Sequence, residues 1–395
     1  MALLASNINL ALAQDGPLAC EDALQERLDC YDTDGSCELL PIPGSAFGVQ
    51  PDPAIGYVIQ ELRDGVYAIG EGSYWMMAAI AQRKKNSDEY DIAVFDFPEG
   101  NFVVRNETGA VVGSLITNAL DDIVFNMYNL TVDQIDEVTM VYSHQHMDHI
   151  GAASIVYEHI VEKWEFDDVE IVGHVGVEDE FEERTEAGFY SFRAPVPTWT
   201  VEDDMEVLCV GRDLEFTLTP VTGHTADKDL VIFLERDEYR SPAVMMYVDV
   251  IFPGWAPFFS FAITTDIFKY LESHKVLMED FDLGDNGIFI GGHLSKLGGA
   301  EDIQTSYDFA QSIMAGALKG LQTVDINPIV AASGVADPNS RNVGNSWLLF
   351  DEYFKAVVKV CAKEVVAEWG CKLGAVDVVV ESHCRSAQSY WRVDF

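Results

Sequence analysis

Ser143-His144-Gln145-His146-Met147-Asp148-His149 gathers three imidazoles and a carboxylate into six consecutive positions, directly after the apolar run Val138-Thr139-Met140-Val141-Tyr142. The apolar run reads as a strand. Strand side chains alternate between faces, so the His-x-His pair leaving it sets both imidazoles on one side. Asp148 and His149 then fall in the turn that enters the next helix, within reach of a second metal. Neutral imidazole and carboxylate are the ligands that a borderline cation such as zinc prefers. Four such groups bunched at one strand end in a purely structural role would carry burial and pairing costs with nothing to offset them.

Outward from this block, short apolar runs alternate with helical spacings. Strands are expected at 57–59, 66–69, 75–80 and 92–97, and a helix over 114–127 with Leu115, Ile116, Leu120, Ile123 and Val124 on one stripe. A helix is expected over 151–163 with Ile155, Val156, His159 and Ile160 inward, then a strand at 169–173 and an acidic helix over 178–184. A second series follows. Strands at 206–210, 216–221 (leading to His224), 229–234, 243–250 (containing Asp249) and 287–292 (leading to His293) are joined by a helix over 267–278. Two long amphipathic helices, 303–321 and 346–369, close the chain. The alternation implies an α/β architecture in two similar halves. Residues 1–55 are expected to be an irregular extension, 56–325 the catalytic domain, and 326–395 a helical extension packed on it.

The block His144-Gln-His146-Met-Asp148-His149 resembles the H-x-H-x-D-H signature of the metallo-β-lactamase-fold hydrolases. Gly223-His224-Thr225, Asp249 and Gly292-His293 match, in order, that family's second histidine motif, bridging acid and final histidine. The resemblance covers roughly residues 56–300. It implies an αββα sandwich with two metal ions at one sheet edge. His144, His146 and His224 would hold the first ion and Asp148, His149 and His293 the second, with Asp249 and a hydroxide bridging both. The implied ions are two zinc per chain, with iron or manganese as alternatives. Asp148 would also orient the nucleophile and carry a proton to the leaving group.

Departures narrow the branch. Position 146 is His, where the flavo-diiron oxygen reductases of this fold carry Glu, and position 249 is Asp, where zinc β-lactamases carry Cys or Ser. Asp at the bridge is shared by glyoxalase II-like thioesterases and quorum-quenching lactonases. After Asp249 the chain runs Ile-Phe-Pro-Gly-Trp-Ala-Pro-Phe-Phe-Ser-Phe. Phe252, Trp255, Phe258 and Phe259 are candidates for an apolar acyl-binding wall, with a core or interface segment as the equal alternative. Phe252 stands where many of the lactonases place a Tyr that holds the substrate carbonyl, so that helper is missing or comes from elsewhere. The expected activity is hydrolysis of lactones or esters, apolar acyl lactones first. The alternatives are a thioesterase, a β-lactamase-like hydrolase, or a mononuclear-iron oxidoreductase of the persulfide dioxygenase type. Asp96, at the end of an early strand, and His174, after another, are candidates to orient ligands. His159, His274 and His383 read as structural. Lys228 and Lys296, near ligand motifs, would supply local positive charge.

With 66 Asp and Glu against 24 Lys and Arg, the formal charge is −42. Such a polyanion is repelled by nucleic acid, and the partner expected is a small-molecule substrate. High acidity suits a saline setting, where salt screens self-repulsion. No apolar run reaches the length of a membrane span. The oligomeric state is open, a dimer included. Cys20, Cys30 and Cys37 near one end and Cys361, Cys371 and Cys384 near the other read as disulfides tying the terminal extensions down, with Cys209 the free thiol on a core strand. Met1–Gly16 carries an apolar stretch and a cleavage-like Ala11-Leu12-Ala13, but no basic start. With sequons at Asn106 and Asn129, it leans towards an extracellular or secretory location.

Overall fold

The computed structural model describes residues 17–31, 38–99, 102–105, 111–177, 194–225, 229–237, 241–294 and 296–393. The leader-like stretch, the sequon at Asn106, the acidic helix over 178–184, Lys228 and Cys37 lie outside the described residues. The chain divides into two compact units. Among the described residues, the first comprises Gly48–Pro253 with Glu272–Ile303; the second comprises 17–31, 38–47, Gly254–Leu271 and the residues from Gln304 onward.

In the first unit, β1 (Val58–Arg63), β2 (Val66–Gly70), β3 (Trp75–Gln82) and β4 (Tyr90–Phe95) pair antiparallel in succession. A ribbon of β5 (Val103–Arg105) and β6 (Val111–Ser114) stands apart. The sheet then continues in parallel from β4 through β7 (Ile135–Val141) and β8 (Val169–His174) to β9 (Trp199–Val201). A second sheet runs β10 (Glu206–Val210), β11 (Leu214–Val221), β12 (Asp229–Leu234), β13 (Val244–Met246), β14 (Ile288–Ile290), antiparallel except for the last pair. The central strands of the first sheet read as unbroken apolar runs because both faces are covered. Ala68, Met77, Phe95 and Val141 from one face meet Phe216, Leu218, Ile232 and Met246 of the second sheet. From the other face, Ile69, Met76, Val94 and Met140 meet Ile116 and Leu120 of α2 (Leu115–Asp121) and Val156 and Ile160 of α4 (Ala153–Lys163), which follows the one-turn α3 (Met147–Ile150). Each such buried side chain stabilises the sandwich by about 1.5–3 kcal/mol. Phe233, on the outer face of β12, packs on Phe281 at 5.2 Å. The α/β sandwich is therefore as expected, with helices following it in the chain.

Three local expectations are corrected. The helix over 114–127 is α-helical only to Asp121 and continues as a π-helix over Asp122–Met127. Two adjacent acids are pinned there to different partners: Asp121 Oδ1 lies 2.9 Å from His159 Nε2 and accepts from Trp164 Nε1 at 2.8 Å, while Asp122 accepts from Tyr57 Oη. The wider turn accompanies that double tether. The N-terminal extension, expected to be irregular, contains α1 (Pro17–Cys30), whose acidic sequence carries too weak an apolar stripe to announce a helix. Cys209 is free but exposed, because β10 alternates with Leu208 and Val210 inward and Cys209 outward.

The second unit is helical. It contains α1, most of α6 (Ala300–Thr323), which follows α5 (Ile267–Asp280), then α7 (Ile326–Ser333), α8 (Ser346–Trp369) and α9 (Val376–Val393). Disulfides join Cys20 to Cys371 and Cys361 to Cys384. The first ties α1 to the end of α8, and Asp377 reinforces it by accepting from Leu40 N at 2.9 Å and pairing with Arg27 at 3.2 Å. In this unit Ser260, Phe261, Ala262 and Ile263 form a left-handed turn, φ 54–56°. His383 clamps it: Phe261 N donates to His383 Nδ1 at 2.8 Å, so the ring proton sits on Nε2, 3.1 Å from Pro257 O.

Candidate metal centre

The candidate ligands lie in the segments that follow strands β7, β11, β13 and β14. β7 ends at Val141, and Ser143 to His146 form the loop into α3. At β11 the chain turns through Gly223, where a Cβ would overlap Tyr247 Oη and lie 2.7 Å from Ser273 Oγ, so only glycine fits before His224. Asp229, the first residue of β12, holds this turn closed by accepting from His224 N at 2.9 Å and from Thr225 Oγ1 at 2.5 Å. After β13 the backbone enters the left-handed region at Asp249 (φ 67°). After β14 it does so at Gly292 (φ 82°), where a Cβ would lie 2.5 Å from Val248 Cγ1.

The seven candidates come together as two donor sets. His144, His146, His224 and Asp249 form one, and Asp148, His149, Asp249 and His293 the other; within each set the donor atoms lie within 4.8 Å of one another. Asp249 belongs to both through different oxygens. Its Oδ2 lies 3.3 Å from His144 Nε2, 3.7 Å from His146 Nδ1 and 3.3 Å from His224 Nε2. Its Oδ1 lies 3.0 Å from His149 Nε2 and 2.7 Å from His293 Nε2. Asp148 Oδ2 completes the second set at 3.6 Å from His149 and 3.5 Å from His293.

Behind the ligands sits Asp96, fully buried at the end of β4. It accepts from Ser143 N and from Ser143 Oγ, each at 2.8 Å, and its Oδ2 is 3.5 Å from His149 Nδ1. The hydroxyl hydrogen of Ser143 is thereby committed to Asp96. Ser143 Oγ, 3.0 Å from His144 Nδ1, can then only accept from that nitrogen. The His144 proton is fixed on Nδ1, and its Nε2 lone pair faces Asp249 and the centre.

The electrostatics are those of a site short of positive charge. Burial alone would strip the protons from His149, His224 and His293, yet Asp249, joined by Asp148 at His149 and His293, pulls all three above the usual imidazole range. Burial would raise Asp249 and Asp148, but the neighbouring histidines hold both below the usual carboxylate range. His144 differs: burial dominates and lowers it to about 4. Buried His144 Nε2 has no hydrogen-bond partner. Two carboxylates and five imidazoles converging on one point fit divalent cations better than they fit each other.

Residues 101–227 match the family model described as the metallo-beta-lactamase superfamily. That match spans about a third of the chain. Among solved structures, the chain is similar to BJP-1, a subclass B3 metallo-beta-lactamase of Bradyrhizobium japonicum (12% identity, 70% of this chain and 97% of that one, TM-score 0.44). It is also similar to a beta-lactamase domain protein from Burkholderia ambifaria (13%, 83% and 91%, TM-score 0.45), and to a flavo di-iron protein from Thermotoga maritima (14%, 67% and 69%, TM-score 0.38). No curated protein sequence matches the chain significantly.

Around this centre, the other candidates fall into two groups. Phe252 is at the site, stacked on His293 with ring centroids 5.5 Å apart. Trp255, Phe258 and Phe259 belong to the second unit. There Trp255 donates to Ala46 O at 2.8 Å and packs edge-on against Phe47, while Phe258 and Phe259 remain 53% and 41% exposed. His174 accepts from Gly176 N at 3.1 Å and is in neither donor set. Lys296 is paired with Asp302 at 3.1 Å. Tyr74 escaped the sequence reading. It forms an isolated bridge with His293, and its ring lies 4.6 Å from that of His293 and 5.7 Å from that of His149. Trp75 N→Gly292 O at 2.8 Å and Leu294 N→Ser73 O at 2.7 Å lock the two loops together. Burial, then Asp148 and Asp249, raise the Tyr74 phenol and keep it protonated.

Proposed function

We propose that this chain is a dinuclear metal hydrolase, zinc the preferred ion, acting on the carbonyl of a lactone or ester with an apolar acyl chain. The observation that carries the reading is the division of Asp249, one oxygen to each donor set. His144, His146 and His224 would hold one ion and Asp148, His149 and His293 the other. Two divalent ions so held would lower the pKa of a water between them and polarise a carbonyl. Asp148, ionised beside His149 and His293, accepts the proton that the attacking water gives up and returns it to the leaving oxygen. Tyr74, a protonated phenol fixed against two of the histidines, donates to the substrate oxygen in place of the tyrosine that Phe252 displaces. Phe252 begins the apolar wall, with Trp255, Phe258 and Phe259 next along the chain. A mononuclear-iron oxidoreductase needs only one three-residue set, and the second complete set argues against it. The oxidising, extracellular setting rests on the disulfides alone.

The test is metal analysis with a panel of lactones, esters, thioesters, β-lactams and phosphodiesters. Two zinc per chain are expected, and kcat/KM for lactones or esters should rise about 4-fold per added methylene while the wall can cover it. Phe252→Ala should flatten that rise with metal content unchanged. A preference for phosphodiesters, or a single iron with oxygen consumption, would overturn the reading.

A further inference from the structure

Residues 326–350 form a helix–turn–helix in which each local device is in place. Asp325 caps α7 by accepting from Asn327 N at 2.9 Å, and Gly334 ends it in the left-handed region (φ 69°). Asn342 Nδ2 donates to Ser333 O at 3.0 Å, Gly344 N to Val335 O at 2.9 Å, and Asn345 caps α8 by accepting from Leu348 N at 3.1 Å. Yet none of residues 321–356 is buried. The sequence is not that of a solvated arm: α7 reads Ile-Asn-Pro-Ile-Val-Ala-Ala-Ser and α8 opens Ser-Trp-Leu-Leu-Phe. Trp347, Phe350 and Phe354 recur at i, i+3 and i+7, one face of a helix, with the Phe350 and Phe354 rings stacked at 6.0 Å. Trp347 is 84% exposed, Val343 54%, Phe350 45% and Ile326 39%. Short helices in water draw their stability from covering such a face, and a single copy leaves it uncovered.

We propose that a second copy of this chain covers it, and that the hairpin is the interface of a homodimer. Charge selects the occupant. The chain carries −42, but residues 326–350 contain only Asp337 and Arg341 and are neutral. Two such polyanions meet with least repulsion through this surface, whereas an anionic membrane or a nucleic acid finds no attraction there. The ring of polar residues that an interface needs follows at once, where Lys355 pairs with Asp351 at 2.7 Å and Glu352 at 2.9 Å. Area agrees. Trp347 alone leaves about 200 Å² open, and the four exposed apolar residues together offer roughly 400 Å² per copy. Doubled by two-fold symmetry and joined by the neighbouring half-buried residues, this reaches about 1,000 Å² in total, the threshold for a specific contact. From Val357 onward α8 buries one face (Val357, Val358, Cys361, Ala362, Val365, Val366), and the Cys361–Cys384 disulfide fixes it to α9, so the aromatic stripe is held in one place.

The experiment is sedimentation equilibrium of the full chain across concentration, at about 0.1 M and about 1 M NaCl. A mass twice 43.8 kDa is expected, with the dimer tighter in high salt because screening relieves the repulsion between copies. Trp347→Glu places a charge opposite its symmetry mate and should weaken the dimer on the order of 1,000-fold, while Trp347→Phe should keep it. Because the side chain is exposed, far-ultraviolet circular dichroism of both variants should match the parent. Monomer at every salt and concentration, a Trp347→Glu dimer of unchanged strength, or binding of the monomer to neutral phosphatidylcholine vesicles through Trp347 would each overturn the proposal.

Discussion

Asp96→Asn replaces one carboxylate oxygen by an NH₂ group and should weaken both proposed metal positions. Asn fits the site, since it has the same size and tolerates the left-handed backbone at φ 64°. The carboxylate accepts from both Ser143 N and Ser143 Oγ and faces His149 Nδ1. An amide can present only one acceptor. If its NH₂ group faces Ser143 Oγ, that oxygen accepts, and its own hydrogen turns to His144 Nδ1, 3.0 Å away. The ring proton then moves to Nε2, where it points at Asp249 and blocks a ligand lone pair. In that orientation the NH₂ group also opposes His149 Nδ1–H and turns that ring; if instead the NH₂ group takes the other position, it opposes Ser143 N–H and displaces the loop that carries His144. Loss of such an orienting contact typically costs 10–100-fold in metal affinity, about 1.4–2.7 kcal/mol. The assay is competition of zinc between the protein and a chromophoric chelator, resolving two binding steps. Ser143→Ala is the control: it removes only the His144 arm and should weaken one step while leaving the other. Unchanged affinity in Asp96→Asn, or equal loss of both steps in Ser143→Ala, would refute the tautomer argument.

Tyr74→Phe should lower kcat/KM for the preferred substrate by about 5–30-fold, the worth of one hydrogen bond to the reacting oxygen. Bound zinc and Tm should be unchanged; a matching loss of metal would make Tyr74 a support of His293 rather than a substrate contact. The second unit should become less stable in acid through His383. Burial lowers this imidazole to about 4 against 6.5 when unfolded, so between those values the unfolded chain takes up the proton and the folded chain does not. Stability is therefore lost as pH falls from about 6.5 to about 4, by about 3 kcal/mol in the limit. In urea titrations at pH 7 and 4.5, His383→Gln, whose amide can still accept from Phe261 and donate to Pro257, should lose less than the parent; an equal loss would acquit His383.

The centre was legible because its donors obey short-range rules. His-x-His-x-Asp-His is compressed into one loop, and Gly-His recurs where the backbone needs a residue without Cβ. The sandwich was legible from period and strand length. What escaped had no local signature. Tyr74 reaches the site through an isolated bridge to His293, a pairing across more than half of the first unit, and nothing in Gly-Ser-Tyr-Trp foretells it. The π-turn depends on Trp164 and His159 arriving from another helix. Cys209 is a different failure, since the alternation Leu208-Cys209-Val210 already sets the thiol opposite two core residues.

A single backbone device explains why positions 96 and 249 are aspartates. Asp96 ends β4 at φ 64° and Asp249 follows β13 at φ 67°. In both, the left-handed residue comes within a few positions of a strand end. Left-handed backbone costs most residues about 1–2 kcal/mol, and Asp and Asn are the side chains that bear it best apart from glycine. A glutamate at 249 would meet that cost and carry an extra methylene, moving both oxygens off positions now 2.7 Å from His293 and 3.3 Å from His144. Gly292 (φ 82°) and Leu294 (φ 65°) bracket His293 in the same way, and Leu294 is held there by its bond to Ser73 O. Strain of this kind persists only where the surroundings over-determine it. Here the surroundings are the two sheets themselves, so the core enforces the geometry of the donor sets.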